Sequence, residues 1–142
     1  CDLMSSLWWP EATVDVGVYE GNALDYSVFI TTPNERLKRS HHAVSNPVFQ
    51  ISGNRARGQV YINAASTMVE ADNEIEALVG GRYVDEYECR DGVWKFLFRG
   101  FVIDWAYSFN STDVWAADLM AFFKYQGKPG AADFGQQFLA GA

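Results

Sequence analysis

His41 and His42 are the only imidazoles in the chain, and they are adjacent. Imidazole is the usual general base near neutral pH. On a strand, neighbouring side chains point to opposite faces, so at most one of the two faces a pocket. The alternative is a histidine pair at a helix–strand junction with no chemical role. Arg99 is the second candidate. It stands in the most apolar run of the chain, among Phe96, Leu97, Phe98, Phe101, Val102 and Ile103. An arginine there either faces a cavity, where it stabilises an anion or a leaving group, or is satisfied by a carboxylate. In the second case Asp85 or Glu86 of the adjacent strand is the expected partner. Without a bulge, strand parity sets Arg99 on one face with Leu97, Phe101, Ile103 and Trp105, and sets Asp104 on the other. The acidic run Asp85, Glu86, Glu88 and Asp91 reads as a solvated hairpin edge, and Asp15, between valines, as solvent-facing.

Other chemistry has little footing. Cys1 and Cys89 form no CxxC and have no histidine at ligand spacing, so no metal is expected. They read as two free thiols, a disulfide between them being the alternative. No triad, phosphate loop, dinucleotide fingerprint or metal box is present, and no cofactor is expected. Gly80-Gly81 reads as a bend in a strand. With 11 basic and 18 acidic residues the net charge is −7, which repels phosphate backbones, so no nucleic-acid partner is expected. Arg36, Lys38 and Arg39 read as the charged end of a surface helix. No stretch approaches about 18 consecutive apolar residues, and no signal peptide opens the chain. The expectation is a cytoplasmic protein without a membrane span.

These side chains need a scaffold. At 142 residues, 49% hydrophobic and 20% charged, the chain fits one globular domain. Residues 1–9 read as the second half of a helix, stopped by Pro10, as if the chain were a fragment or an unusually short gene product. Alternating valines predict a strand over 13–19. Asn22 is a plausible cap for a helix over 23–31, with a helical turn continuing to Arg39. Strands are predicted over 41–52, 57–71, 75–89 and 93–109, joined by turns at Gly53-Asn54, Asp72-Asn73 and Asp91-Gly92. After Ser111 the pattern turns helical (Val114, Trp115, Leu119, Phe122, Phe123) and breaks at 127–130. Phe134, Phe138 and Leu139 follow, an apolar segment suited to docking on the core or a neighbouring subunit. The class expected is α+β: a cone-shaped, curved antiparallel sheet with helices on its concave face, residues 1–109 forming the cone and 111–142 a tail. Its apolar interior would hold a small organic ligand.

The segments 7–12 (Leu-Trp-Trp-Pro-Glu-Ala), 19–23 (Tyr-Glu-Gly-Asn-Ala), 42–46 (His-Ala-Val-Ser-Asn) and, most specifically, 81–95 (Gly81 to Lys95, containing Tyr83, Asp85 and the Asp91-Gly92 turn) resemble the SnoaL-like branch of the nuclear transport factor 2-like superfamily. Within it they look most like hexachlorocyclohexane dehydrochlorinase and, more distantly, scytalone dehydratase. The resemblance implies a cofactor-free lyase or isomerase in which a histidine abstracts a proton and an arginine assists the leaving group. Those roles fall on His42 and Arg99. Val14 and Tyr83 match pocket-lining positions, and Phe101 and Trp105 are expected to line the same cavity. In the family an aspartate orients the histidine from a helix upstream of the segment matching Cys1, and the chain as given holds no such residue. A non-catalytic ligand-binding module, or an assembly subunit like the small subunits of ring-hydroxylating dioxygenases, is therefore the rival expectation. A homodimer or homotrimer is expected in either case.

Overall fold

Runs of Val, Ile, Tyr, Thr and Phe separated by tight turns favour long strands. The computed structural model describes residues 2–71, 73–112, 123–125, 127–128 and 132–141. In chain order it contains α1 (Asp2–Ser6), β1 (Trp8–Asp15), β2 (Glu20–Asn22), α2 (Ala23–Thr31), β3 (Leu37–Ser52), β4 (Arg55–Glu70), β5 (Asn73–Arg90), β6 (Val93–Asn110) and α3 (Phe134–Ala140). The last four strands form an antiparallel meander. Asp91 and Gly92, at φ 53° and 81°, make the tight turn between β5 and β6 that Asp-Gly favours. One curved six-stranded sheet results, in the order β2-β1-β6-β5-β4-β3. It is mixed, because β1 joins β6 in parallel, with Val14 beside Arg99.

Three local readings change in the structure. The first helix stops at Ser6, and Trp8 already belongs to β1, held by its ladder pairing with Phe96 and buried at 4% exposure. Pro10 lies within β1 where the register to β6 shifts, so its missing N–H costs no ladder bond. The strand foreseen over 13–19 ends at Asp15, since Gly17 at φ 79° turns the chain. Arg36–Arg39 is not a helix end. Leu37 opens β3, and Arg36 pairs with Glu70 while Lys38 and Arg39 pair with Glu74. Asn22 does cap α2, its side chain accepting from the N–H groups of Leu24 and Asp25 at 2.8 and 3.4 Å.

The core is gathered at one end. Trp8, Ala12, Val14, Ala23 and Tyr26 pack where α2 lies on β1, flanked by Met4, Val16, Tyr19, Leu24 and Phe96. At the far end, β3 is almost wholly exposed. Of the tail, the helical pattern at Val114, Trp115, Leu119 and Phe122 lies outside the described residues, as does Cys1. Phe134 opens α3 and stacks on Tyr125 at 3.9 Å, while Phe138 and Leu139 face solvent.

Four bulges shape the meander, one of them at Lys38 near the start of β3. β6 carries an extra residue at Leu97 and another at Asp104, the second facing the step between Gly80 and Gly81. β3 carries a second around Asn46-Pro47, where Asn46 adopts φ 51°. Each inserted residue bends its strand and increases its twist. The glycines let β6 approach closely there: a Cβ on Gly81 would lie 2.3 Å from the Val102 carbonyl oxygen and 2.7 Å from the Phe101 ring. Backbone cannot yield to such a contact. Gly81→Ala is therefore expected to lower stability by about 1–3 kcal/mol, read as an earlier midpoint in urea unfolding followed by circular dichroism.

Candidate active site on the concave face

Register decides which side chains meet. On the face covered at one end by α2, β6 presents Phe96, Arg99 and Phe101, and β5 presents Tyr87, Asp85 and Tyr83 opposite them. Asp85 is not a solvated edge residue. Its side chain is 1% exposed, and it grips Arg99 with both oxygens, Oδ1 to Nε at 2.8 Å and Oδ2 to Nη2 at 2.9 Å. The Tyr87 hydroxyl donates a third hydrogen bond to Oδ2 at 2.9 Å. The guanidinium lies 4.2 Å from the centroid of the Tyr83 ring and 4.6 Å from that of Phe96, within reach of a cation–π attraction. Tyr83 packs in turn on Phe101 at 5.6 Å.

Electrostatics follow from this packing. Burial disfavours the charge on Arg99, but the hydrogen bonds and negative charge of Asp85 outweigh it and raise the guanidinium pKa above its ordinary value. Burial is also the main cause pushing the hydroxyls of Tyr83, Tyr87 and Tyr26 upward. For Tyr87 the neighbouring carboxylate adds to the effect, so this residue remains a proton donor to Asp85. Three guanidinium N–H bonds remain beyond the two Asp85 occupies, since an arginine carries five. With its side chain 23% exposed, Arg99 is the more accessible member of the pair.

The other expected residues are placed as follows. Val14, beside Arg99 in the ladder, is 1% exposed and belongs to the core beneath α2. His42 pairs with Ala64, which pairs with Val79, and this register sets His42 on the Arg99 face and His41 on the other. His42 is exposed, and among the described residues no carboxylate pairs with it. Its row crosses β5 at Val79, some six residue steps from Asp85, about 20 Å in a flat strand. The Gly80-Gly81 bend lies between the two rows. Trp105 is not brought to this face. The extra residue at Asp104 reverses the parity, so Trp105 pairs with Gly80 and its ring covers that glycine on the outer side of the sheet. Arg82 and Asp104 form a bidentate pair on that outer side.

A second concavity, of about 500 Å³, is lined by Val48, Gln50, Arg57, Gln59, Glu86 and Phe98 on the outer face. Its charged side chains include Arg57 and Glu86, which form a surface ion pair. Among the described residues no cluster of three or more His, Cys, Asp or Glu is placed to hold a metal ion, and no helix is long and apolar enough to cross a membrane. Tyr87, Phe96 and Tyr26 were not singled out from sequence. The i, i+2 spacing of Asp85 and Tyr87 on a strand is the signal that places those two on one face.

What this face can do is bind an apolar molecule beside a fixed arginine, with an imidazole exposed on the same side. The γ-hexachlorocyclohexane dehydrochlorinase of Sphingobium indicum is 31% identical over 103 residues, covering 68% of this chain and 63% of that enzyme. The chain thus spans less than two thirds of that relative's length. The crystal structure of hexachlorocyclohexane dehydrochlorinase LinA-type3 from Novosphingobium barchaimii superposes with a TM-score of 0.59 at 29% identity, covering 76% of this chain and 74% of that one. A putative scytalone dehydratase from Novosphingobium aromaticivorans shares the fold, with a TM-score of 0.62 at 17% identity over 75% of this chain and 72% of that one. The model of the SnoaL-like domain matches residues 1–100, and with that match the chain belongs to the SnoaL-like family.

Proposed function

We propose that the concave face takes up a small, largely apolar organic molecule and eliminates H–X from it without a cofactor. The observation that carries this reading is Arg99, held by Asp85 among Tyr83, Phe96 and Phe101, on the face to which His42 points. In the elimination a ring nitrogen of His42 takes a proton from carbon. The C–H electrons become the second bond of an alkene, and X leaves the neighbouring carbon with its bonding pair. Free N–H groups of Arg99 donate to the departing anion, where preorganised donors act on developing charge. Tyr83 and Phe101 shape the apolar wall, with Val14 behind them. Kinship to dehydrochlorinases supports a lyase or isomerase type of ligand-binding fold and makes a polychlorinated cyclohexane the first substrate to test.

One observation favours a second reading. His42 lacks a carboxylate to fix its tautomer among the described residues, which suits a module that binds without turnover. A homodimer or homotrimer in the cytoplasm is proposed in either case.

Halide release separates the two. As a lyase the protein liberates chloride from γ-hexachlorocyclohexane, His42→Ala lowers kcat by about 10²–10⁴-fold, and Arg99→Gln lowers it by about 10²-fold or more. Absence of chloride release from the unaltered protein, with binding intact, sinks the elimination and leaves the binding module. The placement of the wall residues is tested by titrating toluene and following it by NMR. Tyr83→Ala is expected to weaken binding about fivefold or more, whereas Trp105→Ala, on the outer face, leaves it unchanged.

A further inference from the structure

We propose that Asp85 sets the ligand charge this site accepts: by holding and neutralising Arg99 it suits the concave face to uncharged organic molecules and closes it to carboxylates and phosphates. This rests on the reading of Arg99 as the group that meets the ligand. An arginine in an apolar pocket is ordinarily a receptor for anions, because its planar fork matches a carboxylate or phosphate. Here the Nε–Nη2 edge of that fork is already filled by a carboxylate of the protein itself. The Tyr87 hydroxyl, a neutral donor that could have served a ligand, is also directed at Asp85. Ring contacts at 4.2 and 4.6 Å fix the guanidinium further. The pair carries no net charge, so an incoming anion would be stripped of water to face an arginine whose counter-charge is permanently in place. A neutral molecule loses little water, and the remaining N–H bonds still point at a lone pair or at a small anion formed only during reaction. Asp85 itself is out of the ligand's reach, with 1% of its side chain exposed. It acts through Arg99 and is a positioning residue.

The test compares benzoate with its uncharged isostere benzamide by calorimetric titration. The unaltered protein is expected to bind benzamide at least as tightly as benzoate. Asp85→Asn keeps the shape and removes the charge. Benzoate affinity should then rise at least about tenfold while benzamide changes less than about twofold, and Arg99→Gln in the Asp85→Asn background should abolish the gain. A merely structural role for Asp85 predicts no gain for an anion. Benzoate affinity that stays level or falls in folded Asp85→Asn overturns the proposal. So does an unaltered protein that prefers benzoate, a comparison that decides the matter even where Asp85→Asn does not fold. Failure of chloride release would remove the elimination and leave this titration untouched.

Discussion

Burying a carboxylate is costly unless a cation stands against it and both of its oxygens are hydrogen-bonded. Asp85 meets that condition through Arg99 and Tyr87, and much of the sheet is arranged so that it can. Arg99 reaches Asp85 only in one register of β6 on β5. A slip by one residue would turn the guanidinium to the outer side, where Val84 and Glu86 lie, and leave Asp85 buried alone. The extra residue at Leu97 returns Phe96 to the inner face in time to pack against the guanidinium. β1 then lies parallel to β6 with Val14 beside Arg99, and α2 is seated on β1. One ion pair thus ties together strand register, the entry of β1 and the position of the covering helix.

The sheet has two unlike ends. Around β1 its inner face lies under α2 and carries the core. Around β3 the inner face is open, and His42 stands there with Val44, Phe49 and Ile51, all exposed. One bulge, at Asp104, lies in β6 next to β1, and another, at Asn46-Pro47, divides β3 itself, at places where a strand bends easily. Arg99, proposed to stabilise the anion, is therefore held among packed side chains, and His42, proposed to accept the proton, stands on the exposed strand β3. That division matches the two roles proposed: an arginine must be aimed, whereas a base has only to reach a proton.

Features specified by neighbouring residues were legible in the sequence. Asn22 as a helix cap, the Asp91-Gly92 turn, the Gly80-Gly81 bend and the extents of β3 to β6 depend on local conformational preference, and they emerged within a few residues of their positions. The curved α+β sheet followed from them and from the resemblance. The extended course of Arg36–Arg39 is not legible locally, because its ion-pair partners Glu70 and Glu74 lie more than thirty residues away in sequence. Asp85 was weighed as a partner of Arg99, yet its charged neighbours Glu86 and Glu88 made the whole run look solvated. Alternation along β5 separates it from Glu86, and only the second strand reveals which side is buried. Trp105 illustrates the same limit. Its parity with Arg99 is correct residue by residue and is undone by one insertion at Asp104, which leaves no mark in composition or period. His42 was marked by its identity and by the resemblance, and the pairing of β3 with β4 then gave its face.

β3 is the last strand of the sheet, sixteen residues long, with one edge unpaired among the described residues. Such an edge is a template onto which another chain can add by hydrogen bonding. The interruption at Asn46-Pro47 divides it. Pro47 has no N–H to offer, and the left-handed turn of Asn46 throws the following residues out of line with those before. An incoming strand meets two short stretches of edge separated by the kink, and interruptions of this kind make an edge a poorer template for strand addition.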